Sequence, residues 1–430
     1  MLHNSHPEKR IAVIGAGCSG ITALKNLVQS KVGEVVCYEQ NNQVGGNWIY
    51  SAAESHSSVC ETTHIISSKK LSEYCDFAMP EHYPDYPSHE QLLVYFQDYA
   101  THFNLYPYIR FNTKVQRAEK IAHERWQLTL ANGEVETFDY LVIANGHHSV
   151  PRMPELPGAF NGRVLHAHSY KTNTPFRNER VLVIGAGNSA CDCAVEISRV
   201  ASHVSLSVRS PQYIIPKFFL GKPTDTFNAN MSWLPNVIAE PLRQPSLWLQ
   251  VGRYTDYGLE QPDFATTKAH PTLNSELLYK IRHGKVHPRR GIQAIHGDVV
   301  TFTDGRAEVF DTILAATGYK IAFPFFAADF INYEDASHIP LYLRMFHPEH
   351  PSLIFIGLFQ PQGAIWPLSD YQAQLASKYI AGSWNRPAEI AHLANQDAHS
   401  ISKNFIPSKR HAIEVHYPEL LRRLQKELKR

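Results

Sequence analysis

With 430 residues the chain has room for more than one domain, and its 41 Lys+Arg against 40 Asp+Glu exclude a nucleic-acid or anionic-membrane partner drawn in by bulk charge. Its 27 Pro and 23 Gly are spread along the length without a low-complexity run, as in an ordinary globular protein. No stretch reaches the ~18–20 apolar residues of a membrane-spanning helix, and the polar start MLHNSHPEKR lacks the apolar core of a signal peptide, so a cytoplasmic protein with no membrane anchor is expected.

The first expected element is a strand, because Ile11–Ile14 is the unbroken aliphatic run of a buried parallel strand. It leads into Gly15-x-Gly17-x-x-Gly20 and then a helical segment, ITALKNLVQS. In such a turn the first Gly allows the tight bend and the second lets backbone N–H groups approach a pyrophosphate. The third lets helix and strand pack closely. A second strand follows in EVVCYEQ, where Glu39 stands nineteen residues after Gly20. A carboxylate there accepts hydrogen bonds from ribose hydroxyls, as FAD or NAD requires. Next, LTLANGEVETFDYLVIANGHH reads as a hairpin turning at Asn132-Gly133, then Asp139, an aliphatic strand and the crossing Ala144-x-Gly146.

After the Pro-rich SVPRMPELPG the pattern repeats. VLVIGAGNSA at 181–190 nearly duplicates IAVIGAGCSG at 11–20, with Gly185, Gly187 and Ala190 in the small-residue positions and CDCAVEISRV as the helix. In VSLSVRS, Arg209 stands nineteen residues after Ala190, in the register of Glu39 but with the opposite charge. A guanidinium there forks onto a 2′-phosphate, which means NADP. The two copies therefore divide the labour. The second hairpin repeats too: Asp304-Gly305, Asp311 and Ala316-x-Gly318 keep the spacings of six and seven residues found in the first.

These elements predict an α/β chain of two dinucleotide-binding, Rossmann-like domains, the NADP domain inserted into the FAD domain. The FAD domain is expected over 1–165, the NADP domain over 166–318 with a Pro- and aromatic-rich insertion at about 211–295, and a return to the FAD domain over 319–430. In that return PSLIFIGLFQPQGAIWPLSDYQAQLASKYI reads as strand, loop and long helix, and YPELLRRLQKELKR as a charged surface helix. The six Cys, at 18, 37, 60, 75, 191 and 193, form no C-x-x-C pair, which fits free thiols in a reducing setting. None of the 24 His falls in a metal-ligand spacing, and pairs such as His147/His148 and His166/His168 read as structural; no metal is expected.

Phe160, Gly162, His166 and Tyr170 in FNGRVLHAHSY match the signature F-x-G-x-x-x-H-x-x-x-[Y/F], and the chain resembles the flavin-containing monooxygenase family on these residues. Val44–Trp48 (VGGNW) is similar to the family's flavin-contacting motif and Ala315–Tyr319 (AATGY) to its hinge motif. GAGNSACDCAVEIS, HPTLN at 270–274 and GLFQPQGAI at 357–365 resemble the eukaryotic-type members, so the likeness covers nearly the whole chain. The resemblance implies FAD and NADPH as cofactors, with O2 and a small-molecule substrate. It implies hydride transfer from NADPH to FAD, a C4a-(hydro)peroxyflavin, and oxygen transfer to a soft nitrogen or sulfur nucleophile such as an amine or sulfide. Turn chemistry and resemblance together nominate Gly15, Ala16, Gly17, Cys18, Ser19, Gly20, Glu39, Gly46, Asn47, Trp48, Ile66, Ser67 and Gln360 on the FAD side. On the NADP side they nominate Gly185, Gly187, Asn188, Ser189, Ala190, Cys191, Asp192 and Arg209. No protein side chain is nominated as catalytic, and a homodimer stays open.

One departure stands out. The family usually carries an Asn near the flavin in S-N-T-S-K-E, and alignment on Ser-Ser-Lys puts Ile66 at that position, beside Ser67. Ile offers no hydrogen bond, so a largely uncoupled NADPH oxidase is an alternative outcome, with His64, Asn47 or Gln360 as polar substitutes. Baeyer–Villiger oxygenation of ketones is a further alternative, although enzymes dedicated to it end the signature in Trp followed by Pro or Asp, whereas Tyr170 is followed here by Lys171. A disulfide reductase would need a redox cysteine pair beside the flavin, and a nucleotide sensor would bind cofactor without consuming oxygen.

Overall fold

Aliphatic runs covered on both faces make parallel strands, and two such sheets organise the computed structural model, which describes residues 8–53, 55–230, 236–266, 268, 271–405 and 412–430. In chain order the first unit begins with β1 (Arg10–Ile14), α1 (Cys18–Gln29), β2 (Glu34–Tyr38) and β3 (Ile109–Arg110). The antiparallel β4 (Val115–Lys120), β5 (Trp126–Leu130) and β6 (Val135–Phe138) lead to β7 (Tyr140–Ile143). The second unit holds β8 (Arg163–His166), β9 (Arg180–Ile184), α2 (Asn188–Ile197), β10 (His203–Ser207) and α3 (Thr224–Asn230). It continues through β11 (His287–Arg289), β12 (Ile292–Gly297), β13 (Val299–Phe302), β14 (Ala307–Val309) and β15 (Thr312–Ala315). The chain then returns to the first unit as β16 (Leu353–Phe355) and α4 (Ile365–Ala381).

The two sheets share one plan. The first has the order β16-β7-β1-β2-β3 and the second β8-β15-β9-β10-β11, every neighbour parallel. Each adds an antiparallel layer, β4-β5-β6 or β12-β13-β14, with its hairpin closed by a positive-φ Gly: Gly133 at +90° and Gly305 at +82°. The repeated Asp has one task in both. Asp139 Oδ2 accepts from Arg10 N–H at 2.8 Å and Asp311 Oδ2 from Arg180 N–H at 2.7 Å, so each carboxylate pins the start of its central strand.

Apolar cores lie in each unit: Tyr38, Trp126, Leu128, Phe138 and Phe355 are buried in the first, and Val183, Cys191, Ala194, Leu206 and Tyr254 in the second. In the first, α1 and α4 are joined by an ion pair, Lys25 Nζ to Asp370 Oδ1 at 2.8 Å, with both side chains buried. The C-terminal helix, Tyr417–Leu428, buries Leu420 and Leu424 along one face and so belongs to the core as much as to the surface. No helix among the described residues is long and apolar enough to cross a membrane.

The unit boundaries differ from those read off the sequence. The first unit runs to Ile49 and spans Lys69–His148 and Lys320–Arg430, and the second takes Tyr50–Ser68 and Ser149–Tyr319. Residues 149–165 group with the second because Gly158–Phe160 pairs with β12, and 50–68 because His168 and Lys171 hold its backbone. Core strands also resume at His287, inside the stretch assigned to the insertion, since β11 completes the second sheet.

Candidate functional site

The first glycine turn is built by backbone approaches that no side chain could share. Gly15 holds φ at +100°, and a Cβ there would lie 2.7 Å from Ala144 O; a Cβ on Gly20 would lie 1.8 Å from Gly15 O. Gly46, at φ +56°, brings the 45–48 loop onto the same turn, for its Cβ would lie 2.8 Å from Gly17 Cα. Gly45 N–H donates to Ala16 O at 3.2 Å. Asn47 and Trp48 follow directly, and the Trp48 ring meets Trp366 of α4 edge to face at 6.0 Å. Helix α1 starts after Gly17 with no side-chain cap, which leaves its first N–H groups for an anion.

Glu39 sits just past β2 and is 4% exposed, so it is no loose surface charge. Its Oε2 accepts from Ala16 N–H at 2.7 Å, and its Oε1 accepts from Asn41 N–H at 2.8 Å and Asn41 Nδ2 at 2.5 Å. Ser19 is held from the return segment: its Oγ lies 3.0 Å from Ser369 Oγ, and Gly357 leaves it room. Tyr74 OH donates to Cys18 O at 2.6 Å, and burial raises the Cys18 thiol to about 11. Gln360 pairs through its backbone with Ile413 and faces His147 and His148, whose rings burial drives down to about 3 and about 4, leaving both neutral.

The second turn repeats the construction. Gly185 has φ +134° and donates to Ser207 O at 3.0 Å, and α2 starts after Gly187 without a side-chain cap. Three bonds tie this turn to residues 272–274: Thr272 Oγ1 to Ala186 O at 2.7 Å, Leu273 N–H to Asn188 Oδ1 at 2.8 Å and Asn274 Nδ2 to Asp192 Oδ1 at 2.7 Å. The HPTLN motif thus braces the turn, while its His270 lies outside the described residues. Asn188 and Asp192 spend side-chain oxygens on that brace, Cys191 and Ala190 are fully buried, and Ser189 is exposed. Arg209, just past β10, is exposed and makes no ion pair among the described residues, whereas its neighbours Arg289 and Arg290 are taken by Glu308 and Glu260.

Ile66 and Ser67 lie in the 50–68 stretch of the second unit, Ile66 partly exposed and Ser67 buried. His64 turns its Nδ1 to its own loop, 2.9 Å from Thr62 O. His166 is pushed down to about 4 by burial, with His168 beside it, and both rings meet Tyr319 edge on. Sequence patterns gave no sign of Trp366, Ser369, Asp370 or Asp225, because each acts through a partner far along the chain. Cys75, Asp76 and Asp370 come within 4.8 Å of one another, but Lys25 Nζ already contacts both carboxylates, so the group is a salt-bridge cluster.

Two parallel-sheet units, each feeding a glycine turn into a helix, define the class: a two-nucleotide oxidoreductase fold. The family model "Flavin-binding monooxygenase-like" matches residues 8–429. "Flavin-containing monooxygenase 5" of Mus musculus is 34% identical over 439 residues, 95% of this chain and 81% of its own. "Dimethylaniline monooxygenase (N-oxide-forming) 2" of Rattus norvegicus is 32% identical over 409 residues, covering 90% and 76%. S-allyl-L-cysteine S-oxygenase from Allium sativum shares the fold with a TM-score of 0.73 at 21% identity, over 98% of this chain and 88% of its own. The chain belongs to the flavin-binding monooxygenase-like family, whose cofactors are FAD and NADPH, and it is a flavoprotein monooxygenase.

Proposed function

We propose that this enzyme uses NADPH and O2 to oxygenate soft nitrogen or sulfur nucleophiles, small amines and sulfides, in a reducing cytoplasmic setting that suits its six free thiols. The observation that carries the reading is the pair Glu39 and Arg209, a buried carboxylate and an exposed guanidinium at matching ends of two matching sheets. FAD would lie on the first turn, with pyrophosphate at the α1 N-terminus, ribose toward Glu39, and Gly46–Trp48 and Gln360 around the flavin; Ile66 and Ser67 are assigned to the flavin by the family resemblance of their sequence. NADPH would lie on the second, with its 2′-phosphate on Arg209. Bound flavin supplies hydride acceptance and O2 activation; the protein orients it and keeps water out. The neutral His147–His148 pair suits such dryness, since it places no charge beside Gln360.

Preference for heteroatoms over ketones rests on Tyr170-Lys171 closing the signature and on the N-oxide-forming relative. Ile66 favours a second outcome, release of much of the reducing power as hydrogen peroxide. The test is mass spectrometry of a thioether incubated with the FAD-loaded enzyme, NADPH and isotopically labelled O2. One labelled oxygen in the sulfoxide supports the proposal. NADPH consumption with peroxide and no labelled product selects the oxidase, and a lactone from a cyclic ketone with no sulfoxide selects ketone oxygenation.

A further inference from the structure

The 50–68 stretch is tied down at both ends within the second unit. Near its start two side chains of the signature loop hold backbone carbonyls. His168 Nε2 lies 2.8 Å from Ser55 O, and Lys171 Nζ donates to Ser57 O at 2.7 Å and to Val59 O at 3.3 Å. Glu61 N–H returns a bond to Lys171 O at 2.9 Å. At the far end Asp225 Oδ2 accepts from Ser68 N–H at 2.5 Å, and Ser68 Oγ lies 3.1 Å from Thr226 Oγ1. Asp225 and Thr226 belong to α3, in the insertion. Ile66 and Ser67 sit between the two clamps, directly before Ser68.

Lys171 is 7% exposed, and among the described residues it has no carboxylate partner; its ammonium is spent on two carbonyl oxygens. Burial pulls its pKa below the ordinary lysine value, opposed only by Cys60. A buried ammonium without a counter-ion is costly, and nothing in nucleotide binding calls for one at this place. What it does is organise a loop: carbonyls of Ser57 and Val59, which no regular strand partner satisfies, point at one nitrogen. The same residue closes the signature where ketone-oxygenating enzymes carry Pro or Asp.

We infer that Lys171 is a positioning residue for oxygenation: with His168 it fixes residues 55–61, so that Ile66 and Ser67 are held in one placement between the signature loop and Asp225 of the insertion. The inference rests on the proposed function, in which the family resemblance assigns Ile66 and Ser67 to the flavin.

The test uses the full-length, FAD-loaded protein with Lys171→Met and Lys171→Arg. Hydrogen exchange of the 55–61 amides is read beside peroxide released per NADPH. Loss of the clamp predicts about tenfold faster exchange in the Met variant, a several-fold higher peroxide fraction, and an NADPH KM within about twofold of the parent. Arg, which keeps the charge and donors, should restore both. Unchanged exchange in the Met variant overturns the clamp. Faster exchange with an unchanged peroxide fraction overturns the positioning role, leaving a structural one. If Met fails to fold, Asp225→Asn replaces it at the other clamp: a rise in the peroxide fraction upholds the inference, and a parental peroxide fraction in Asp225→Asn overturns it. A parent enzyme that consumes no NADPH refutes the proposed function alone, because the exchange measurement does not depend on turnover.

Discussion

Glu39 closes on the first glycine turn through Ala16: its Oε2 accepts the Ala16 N–H at 2.7 Å while its Oε1 is held by Asn41. One carboxylate therefore shapes the turn, and in the proposed function the same group also receives the FAD ribose. A hydrogen bond to a charged group is worth about 1.5–3 kcal/mol. Glu39→Ala should weaken FAD binding by roughly 10- to 100-fold, seen as colourless protein after purification and measured by flavin fluorescence titration. Retention of stoichiometric FAD would remove Glu39 from the site.

Arg209 stands at the equivalent place in the second unit, exposed and without an ion pair among the described residues. Arg209→Ala should raise the NADPH KM about tenfold or more and leave the NADH KM nearly unchanged, since only NADPH carries the 2′-phosphate. Steady-state kinetics with both nucleotides checks this. Equal effects on the two would contradict the assignment.

The third position of each turn separates the copies by packing. A Cβ on Gly20 would lie 1.8 Å from Gly15 O, a backbone atom that cannot yield. Gly20→Ala should leave the first unit unable to hold FAD, whereas Ala190→Gly should cost only about 1 kcal/mol, the helix propensity difference. Thermal unfolding and flavin content distinguish the two variants.

The Lys25–Asp370 pair joins α1 to α4 through buried charge, with Thr22 and Asn26 also donating to Asp370. Burial alone would raise Asp370, but Lys25, Thr22 and Asn26 outweigh it and hold the carboxyl below its usual value. A depressed folded-state pKa gives stability that is complete above the ordinary 3.8 and is lost as pH falls through the lower folded value. Asp370→Asn should leave the buried Lys25 with Asp76, about a third exposed, as its one carboxylate partner among the described residues, destabilise the protein by less than the ~3–5 kcal/mol of an uncompensated buried charge, and flatten this acid-side dependence. The double variant Lys25→Met with Asp370→Leu should lose less than Asp370→Asn alone. Denaturant melts across acid pH supply the comparison.

Much of the fold was legible because the chemistry was local. A glycine turn, an aliphatic run and a charge nineteen residues on lie in one βαβ stretch, so Glu39 and Arg209 could be named from spacing. The repeated Asp139 and Asp311 were visible as an echo, but their bonds to Arg10 and Arg180 were not, since each closes a gap of about 130 residues. Asp370, Trp366 and Asp225 left no pattern for the same reason. The compact units divide the chain elsewhere than 165, and a core strand lies inside the 211–295 stretch, because single strands there, Gly158–Phe160 and His287–Arg289, join sheets made of distant segments.

The proposed function makes Ile66 the residue that sets how oxygen is spent, and the stoichiometry of NADPH consumed, sulfoxide formed and hydrogen peroxide released tests this most directly. In the parent enzyme with a thioether, sulfoxide and peroxide should together account for the NADPH, with peroxide a substantial share. Ile66→Asn should lower the peroxide-to-sulfoxide ratio several-fold at an unchanged NADPH KM. NADPH oxidation with no oxygenated product in either protein, or a ratio indifferent to residue 66, would contradict the account.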